Sequence, residues 1–228
     1  AGTFEDVTAG SGADDRGVGL GVTTGDYDRD GDVDLYVTNL GRNTLLANDG
    51  RGVFRDVTED AGVGHVGFDA SAAFVDFDHD GDLDLYVTTY LDWSIETEQR
   101  CQSLGGSGDE YCSPDVYDAP LPDVLYRNDG DGTFNDVSES SGIAAARGTG
   151  LGVVAGDFTG DGLVDIFVAN DGRANFLWVN RGDGRFDEDA VRRGCAIDLA
   201  GRAKAGMGTI AEDVDDDGDL DLLVCNML

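Results

Sequence analysis

Four stretches of this chain crowd carboxylates into one fixed spacing and then run straight into an apolar strand. They read DYDRDGDVDLYV from Asp26, DFDHDGDLDLYV from Asp76, DFTGDGLVDIFV from Asp157 and DVDDDGDLDLLV from Asp213. Unit charges a few ångströms apart repel by on the order of 1 kcal/mol per pair even in water, and by more near a protein surface. A single run of this kind reads as a solvated acidic loop. Four runs in the same spacing read as a repeated cation site.

The spacing selects the ion. Oxygens alternate at the first, third and fifth positions, and a glycine at the sixth permits a sharp turn. A backbone carbonyl at the seventh and an aspartate at the ninth complete an all-oxygen shell. Calcium takes roughly six to eight such ligands, whereas magnesium demands a tighter octahedron and keeps its water. Neither His nor Cys falls in ligand register, which argues against zinc or copper. His79, between Asp78 and Asp80, sits at an even position and is expected to face solvent. An EF-hand would carry an acidic residue at its twelfth position, where these loops have Val37, Val87, Val168 and Val224.

Each loop belongs to a larger repeat. A Gly-rich apolar strand precedes it (GLGVTTGD, SAAFVDFD, GLGVVAGD, GMGTIAED), and a second strand follows (LYVTN, LYVTT, IFVAN, LLVCN). A third strand then runs into N-x-G-x-G-x-F turns opened by Asn48, Asn128 and Asn180, whose glycines supply positive φ. FRDVT or FNDVS supplies a fourth. The pattern predicts an all-β fold of four-stranded antiparallel blades, with the Asp-rich loops joining first to second strands, as in a β-propeller. Blades are expected near residues 19–58, 70–138, 150–188 and 206–228, all within one domain of 1–228, the last blade incomplete. TFEDVT near the start reads as one further fourth-type strand. Ring closure by these residues alone is poor, so the chain reads as about four blades of a larger propeller, completed by the rest of a longer chain or by another subunit.

Residues 90–121 interrupt the second repeat between its second and third strands. Two of the three prolines, Pro114 and Pro120, lie in this insertion and Pro122 follows it at once; Trp93, Cys101 and Cys112 lie in it as well. A Cys101–Cys112 disulfide is expected, since a bond there stiffens a segment with little core of its own in an oxidising compartment. Cys195 and Cys225 occupy positions taken elsewhere by Val or Thr and read as small buried residues, with a bond between them the alternative. Because the insertion leaves the blades at the end opposite the acidic loops, Trp93, Tyr111 and Tyr117 are candidate contacts for a partner; the alternative is that they only pack the insertion down.

Composition narrows the function. A formal charge of −32 excludes nucleic acid as a natural partner, because phosphate contacts need Lys and Arg. Nineteen of the 47 acidic residues lie inside the four loops, and the rest could instead be a salt-adapted surface. No apolar run reaches the about 18 residues of a membrane span. The start at Ala1 without Met fits a processed or trimmed product. Every dense acid set is accounted for by calcium, and His65 and His79 are the only histidines, so no nucleophile with a base emerges. The expected role is a non-catalytic binding, adhesion or structural module with a protein or glycan ligand. A polysaccharide lyase or hydrolase is the alternative.

The D-x-D-x-D-G-x-x-D loops combined with F-x-D-V-T and N-x-G-x-G-x-F resemble the FG-GAP, or VCBS, calcium-binding propeller repeats found in integrin α heads and many secreted bacterial proteins. YCSPDVY at 111–117 and GRAKAGMG at 201–208 resemble, more narrowly, the cartilage acidic protein family, whose relatives commonly carry a further C-terminal ASPIC/UnbV domain. The resemblance implies an extracellular or periplasmic, secreted protein, a seven-bladed whole and up to four Ca²⁺. It implies ligation by the side chains of Asp26, Asp28, Asp30 and Asp34 with the carbonyl of Asp32. The second set is Asp76, Asp78, Asp80 and Asp84 with the carbonyl of Asp82; the fourth is Asp213, Asp215, Asp217 and Asp221 with the carbonyl of Asp219. In the third loop Thr159 replaces an acid between Asp157 and Asp161, and Leu163 offers only its carbonyl before Asp165, so weaker binding is expected there.

Overall fold

The computed structural model describes residues 2–102, 109–110 and 112–227. The first unit comprises β1 (Val18–Gly25), β2 (Asp34–Arg42), β3 (Thr44–Asn48) and β4 (Phe54–Asp56), followed by a one-turn helix, α1 (Thr58–Ala61). The second holds β5 (Val66–Val75) and β6 (Asp84–Thr89), then the insertion with β7 (Cys101–Gln102), β8 (Asp109–Glu110) and α2 (Pro114–Tyr117). It resumes with β9 (Val124–Asn128), β10 (Phe134–Asp136) and α3 (Ser138–Ser141). The third contains β11 (Gly150–Gly156), β12 (Asp165–Asn170), β13 (Phe176–Asn180), β14 (Phe186–Glu188) and α4 (Ala190–Arg193), and the fourth β15 (Ala205–Glu212) and β16 (Asp221–Met227). The fold is all-β, with every strand pair antiparallel.

The units stack as layers. Alternate side chains of a strand point to opposite faces, and β6 uses both: Leu85 and Val87 share a core with Tyr36 and Leu45 of the first unit, while Tyr86 joins Ile166, Val168 and Trp178 of the third. Phe167 and Leu177 on the far side of the third unit meet Leu222 and Val224 of the fourth. Burial on both faces is why the second strands read as continuous apolar runs. Among the described residues the outer face of the fourth unit has no such neighbour: Leu223 is 62% exposed, whereas its equivalents Tyr36, Tyr86 and Phe167 are at most 1% exposed.

First strands of successive units run close together. Each carries a register shift at the same place, between Gly19 and Gly21, Asp69 and Ser71, Gly150 and Gly152, or Gly206 and Thr209, a bulge that sharpens local twist. A Cβ on Gly21 would stand 2.5 Å from the Ala70 carbonyl oxygen, and one on Gly152 2.4 Å from that of Met207. Glycine is what allows that approach.

Three findings differ from the sequence reading. Units one and two fuse into a single eight-stranded sheet, because β2 runs on through Gly41 (φ +113°) and its Leu40–Arg42 end pairs with Val66–Phe68 of β5. TFEDVT forms no strand and Phe4 is fully exposed; a fourth strand needs a third to pair with, and none of the described residues supplies one. Cys225 is exposed rather than buried, on the uncovered β16, and both it and Cys195 are free thiols. The Cys101–Cys112 disulfide is present.

Gly152→Ala is expected to lower the thermal midpoint by several degrees. Overpacking costs about 1–3 kcal/mol, and each kcal/mol moves the midpoint of a domain this size by about 2–4 °C. Gly208, the equivalent residue of the fourth unit, has nothing within 4 Å of its Cβ position, so Gly208→Ala should leave the midpoint in place. Equal effects of the two in scanning calorimetry would contradict the close-approach argument.

Candidate metal centres

Each acidic loop is wound around its first aspartate. The Asp26 carboxylate accepts the N–H groups of Asp30 and Gly31, both at 3.0 Å, and that of Asp76 accepts Gly81 N–H at 3.2 Å. Asp213 accepts Asp217 and Gly218 at 3.0 and 2.9 Å. The sixth-position glycines have φ of +94° (Gly31), +90° (Gly81), +85° (Gly162) and +96° (Gly218). The fourth position is left-handed as well, at Arg29 (φ 58°), His79 (φ 60°), Gly160 (φ 73°) and Asp216 (φ 61°). That second turn was missed from sequence, although glycine at 160 was its signal. His79 is exposed, as expected.

The ninth-position aspartate ties the loop to three strands. It starts the second strand, and its two oxygens accept one N–H from inside the loop and one from the end of the third strand. For Asp84 these are Phe77 (3.0 Å) and Asn128 (2.9 Å); for Asp34, Tyr27 (3.2 Å) and Asn48 (2.8 Å); for Asp165, Phe158 (3.1 Å) and Asn180 (2.9 Å). All three carboxyls are at most 1% exposed. Burial pushes the Asp34 carboxyl up to about 6 and Asp84 up to about 7, against the N–H bonds that pull the other way, and raises Asp165 too. Asp28 and Asp78 are raised by partial desolvation first and then by the nearby Asp30 and Asp80.

The first, third and ninth carboxylates converge in three loops. Ligand oxygens of Asp26, Asp28 and Asp34 lie within 4.8 Å of one another, as do those of Asp76, Asp78 and Asp84 and of Asp213, Asp215 and Asp221. The fifth-position carboxylates Asp30, Asp80 and Asp217 stand outside these groups; each accepts the N–H of the seventh residue, at 2.9, 2.8 and 3.0 Å. Of the seventh residues, Asp82 turns its side chain away to Arg29 of the preceding loop (2.7 Å). In the third loop, Thr159 stands at the third position and backbone N–H groups, that of Gly162 foremost, hold Asp157 below the usual carboxylate range.

Two buried acceptors in these loops have no protein partner, Asp76 Oδ1 and Thr159 Oγ1. Buried polar atoms are nearly always satisfied, and at Asp76, where three carboxylates converge, a cation would satisfy the orphaned oxygen. The donor sets fit a hard divalent ion.

Asparagines of the N-x-G-x-G-x-F turns have a further role. Asn128 Nδ2 donates to Tyr27 O (2.8 Å) in the first loop and Leu83 O (3.0 Å) in the second, and Asn180 Nδ2 to Phe77 O (2.8 Å) in the second and Val164 O (3.1 Å) in the third. Each is a staple between neighbouring metal loops. At the opposite end of the units, the backbone N–H of residues 39, 89 and 170 is accepted by Asn43, Asp123 and Asn175 at 2.9, 2.9 and 3.0 Å. Tyr86 hydroxyl also donates to Asp123 (2.7 Å), whose carboxyl burial pushes up to about 7. The insertion springs from this end. Trp93 and Tyr117 both donate to Glu98 there, and Tyr111 lies outside the described residues.

Comparison with known proteins places these loops in company. The FG-GAP-like repeat family matches residues 26–87, 113–168 and 157–224. Cartilage acidic protein 1 of Xenopus tropicalis is 33% identical over 109 residues, 46% of this chain and 16% of that protein. Cartilage acidic protein 1 of Homo sapiens is 45% identical over 49 residues, 22% of this chain and 7% of that protein. The chain thus spans at most 16% of the length of these relatives. A solved structure described as the basis of specific recognition of non-reducing terminal N-acetylglucosamine by an Agrocybe aegerita lectin aligns over 89% of this chain and 59% of that one, with 18% identity and a TM-score of 0.30.

A raised carboxyl pKa means that the folded chain holds a proton the unfolded chain has released. The stability this gives metal-free protein is complete below about pH 4 and is lost as pH rises through about 6 to 7. In chelator, the thermal midpoint is therefore expected to fall between about pH 5 and about pH 8. A divalent ion relieves Asp34 and Asp84 but cannot reach Asp123, so it should flatten the fall only in part. Asp123→Asn, which copies Asn43 and Asn175, should flatten it further. A midpoint that climbs with pH in chelator would contradict this account.

Proposed function

Because the chain belongs to the FG-GAP-like repeat family, we propose that it is a calcium-stabilised β-propeller segment acting outside the cytoplasm as a binding or adhesion module. The observation that carries the calcium reading is the set of buried ninth-position carboxylates, Asp34, Asp84 and Asp165, with no basic side chain among their hydrogen-bond partners. Calcium neutralises that charge and takes the oxygen ligands the loops offer. Folding and ion binding are then coupled. Up to four ions bind, the third loop most weakly because Thr159 brings no charge.

An extracellular or periplasmic setting accords with the Cys101–Cys112 bond. Among the described residues, no helix is long and apolar enough to cross a membrane. Further blades, from the rest of a longer chain or from another subunit, cover the exposed face of the fourth unit around Leu223, in a seven-bladed whole. Recognition of a protein or glycan partner falls to the insertion end, since loops on a rigid scaffold are where binding tends to reside. The module is not an enzyme.

Chelation is expected to lower the thermal midpoint markedly, since each site at about one hundred times its dissociation constant adds about 2.7 kcal/mol. Titration calorimetry should resolve a weaker class of site that Thr159→Asp tightens and Asp78→Asn does not touch. An unchanged melting curve in EDTA would refute calcium stabilisation. New reducing or unsaturated ends on incubation with a polysaccharide panel would overturn the non-catalytic reading.

A further inference from the structure

Where the insertion folds back over the start of β5, four aromatic rings line a cavity of about 360 Å³, at the small end of the range for small-molecule sites. Phe68 stands at 76° to Tyr90, with ring centroids 5.0 Å apart, and at 65° to Trp93, at 6.0 Å. Those rings therefore present differently oriented walls. Tyr117, Leu40 and the buried Leu91 add to the apolar lining. Glu98 brings a carboxylate to the same cavity, where its Oε2 accepts both the Trp93 indole N–H and the Tyr117 hydroxyl (3.0 Å). One acid thus fixes two walls.

Tyr90 is held as well, its hydroxyl donating to Asp171 of the third unit at 2.7 Å. Covalent support comes from Cys112, which lines the cavity and is bonded to Cys101. No Lys, Arg or His lines this cavity among the described residues. The site is pre-organised before any ligand arrives.

Several aromatic faces around one carboxylate make a surface for a soft cation. Ring faces carry negative potential, and an ammonium whose charge is spread over methyl groups can enter without the hydration penalty of a metal ion. A net charge of −32 concentrates cations near the chain. We propose that this cavity binds a quaternary or highly alkylated ammonium group, held by Trp93, Tyr90, Tyr117 and Phe68 with Glu98 as counter-ion. The proposal names a ligand class for the insertion end and rests on the interaction-module reading only for the role of that end.

Choline chloride titrated into calcium-loaded protein tests it through tryptophan fluorescence. Trp178 is buried between units at 2% exposure, so the change reports Trp93. Saturable quenching is expected, with binding of the neutral isostere 3,3-dimethylbutan-1-ol weaker by about fivefold or more, the scale of a cation–π contribution. Trp93→Leu, read by titration calorimetry because it lacks the fluorescent reporter, should abolish choline binding. Glu98→Gln keeps an acceptor for both rings and should weaken it several-fold without moving the melting point, so the test survives should Trp93→Leu perturb the fold. Absence of choline binding, or equal affinity for the isostere, overturns the proposal. So does preferential binding of N-acetylglucosamine oligomers through Trp93, which would nonetheless leave the interaction module standing. In the presence of choline binding, co-sedimentation with phosphatidylcholine vesicles that choline competes away supports a lipid headgroup as the source of the ammonium; its absence supports a free solute.

Discussion

A carboxylate with a desolvated charge and no basic partner organises this fold. Asp84 sits at the start of β6, fully buried, its oxygens holding the loop at Phe77 and the end of β9 at Asn128. The same residue type makes the same two bonds at Asp34 and Asp165. Burying an unpaired carboxylate costs several kcal/mol in the absence of a proton or a cation. The geometry of the first three strands in each unit is therefore conditional on charge compensation at one point. Loops rich in like charge, which would otherwise spread apart, close into turns held by backbone N–H bonds to their first aspartate.

Compensation at one loop is felt at the next. Asn128 and Asn180 each donate to the backbone of two successive loops, and Arg29 crosses from the first loop to Asp82 of the second. Beneath these staples, β6 shares one core with the unit before it and another with the unit after it. Layers joined through both their loops and their cores resist sliding, because a slip in one must break contacts in two. Among the described residues the fourth unit contributes β15 and β16, and Asp221 keeps its loop bond to Val214 (3.1 Å) without a third-strand bond and is exposed.

Much of this was legible in the sequence because the chain says it four times. Loop spacing, strand order and the turn glycines follow from residue types at fixed offsets, and the disulfide from a lone Cys pair in an insertion with little core of its own. The structure adds what depends on partners remote in sequence. One-turn helices follow three of the fourth strands because Gly62, Gly142 and Gly194 take left-handed caps, and the Thr58 and Ser138 hydroxyls accept the N–H of Leu45 and Leu125. Ala190 lacks a hydroxyl, and Glu188 serves Leu177 instead. Periodicity marks neither the helix nor the substitution. TFEDVT misled for a related reason: a motif specifies a strand only if an edge is present to receive it. The aromatic cavity was half visible, since Trp93 and Tyr117 stood out, but Phe68 and Tyr90 joined them only once the insertion closed over β5.

The two ends of the second unit are linked by strands short enough to transmit position. From Asp84 to Thr89, β6 spans about 17 Å at roughly 3.3 Å per residue, and the insertion begins at the next residue, Tyr90. Just past its other end at residue 121 stands Asp123, one residue before β9, which ends at Asn128. Asp84 grips both strands at the metal end through Asn128, and Asp123 grips both at the other through Thr89 and Tyr86. With both ends of the strand pair fixed, the register at which the insertion is mounted is fixed too. The mounting of Tyr90 and Trp93 thus depends on backbone whose alternative is a slipped and unsatisfied ladder.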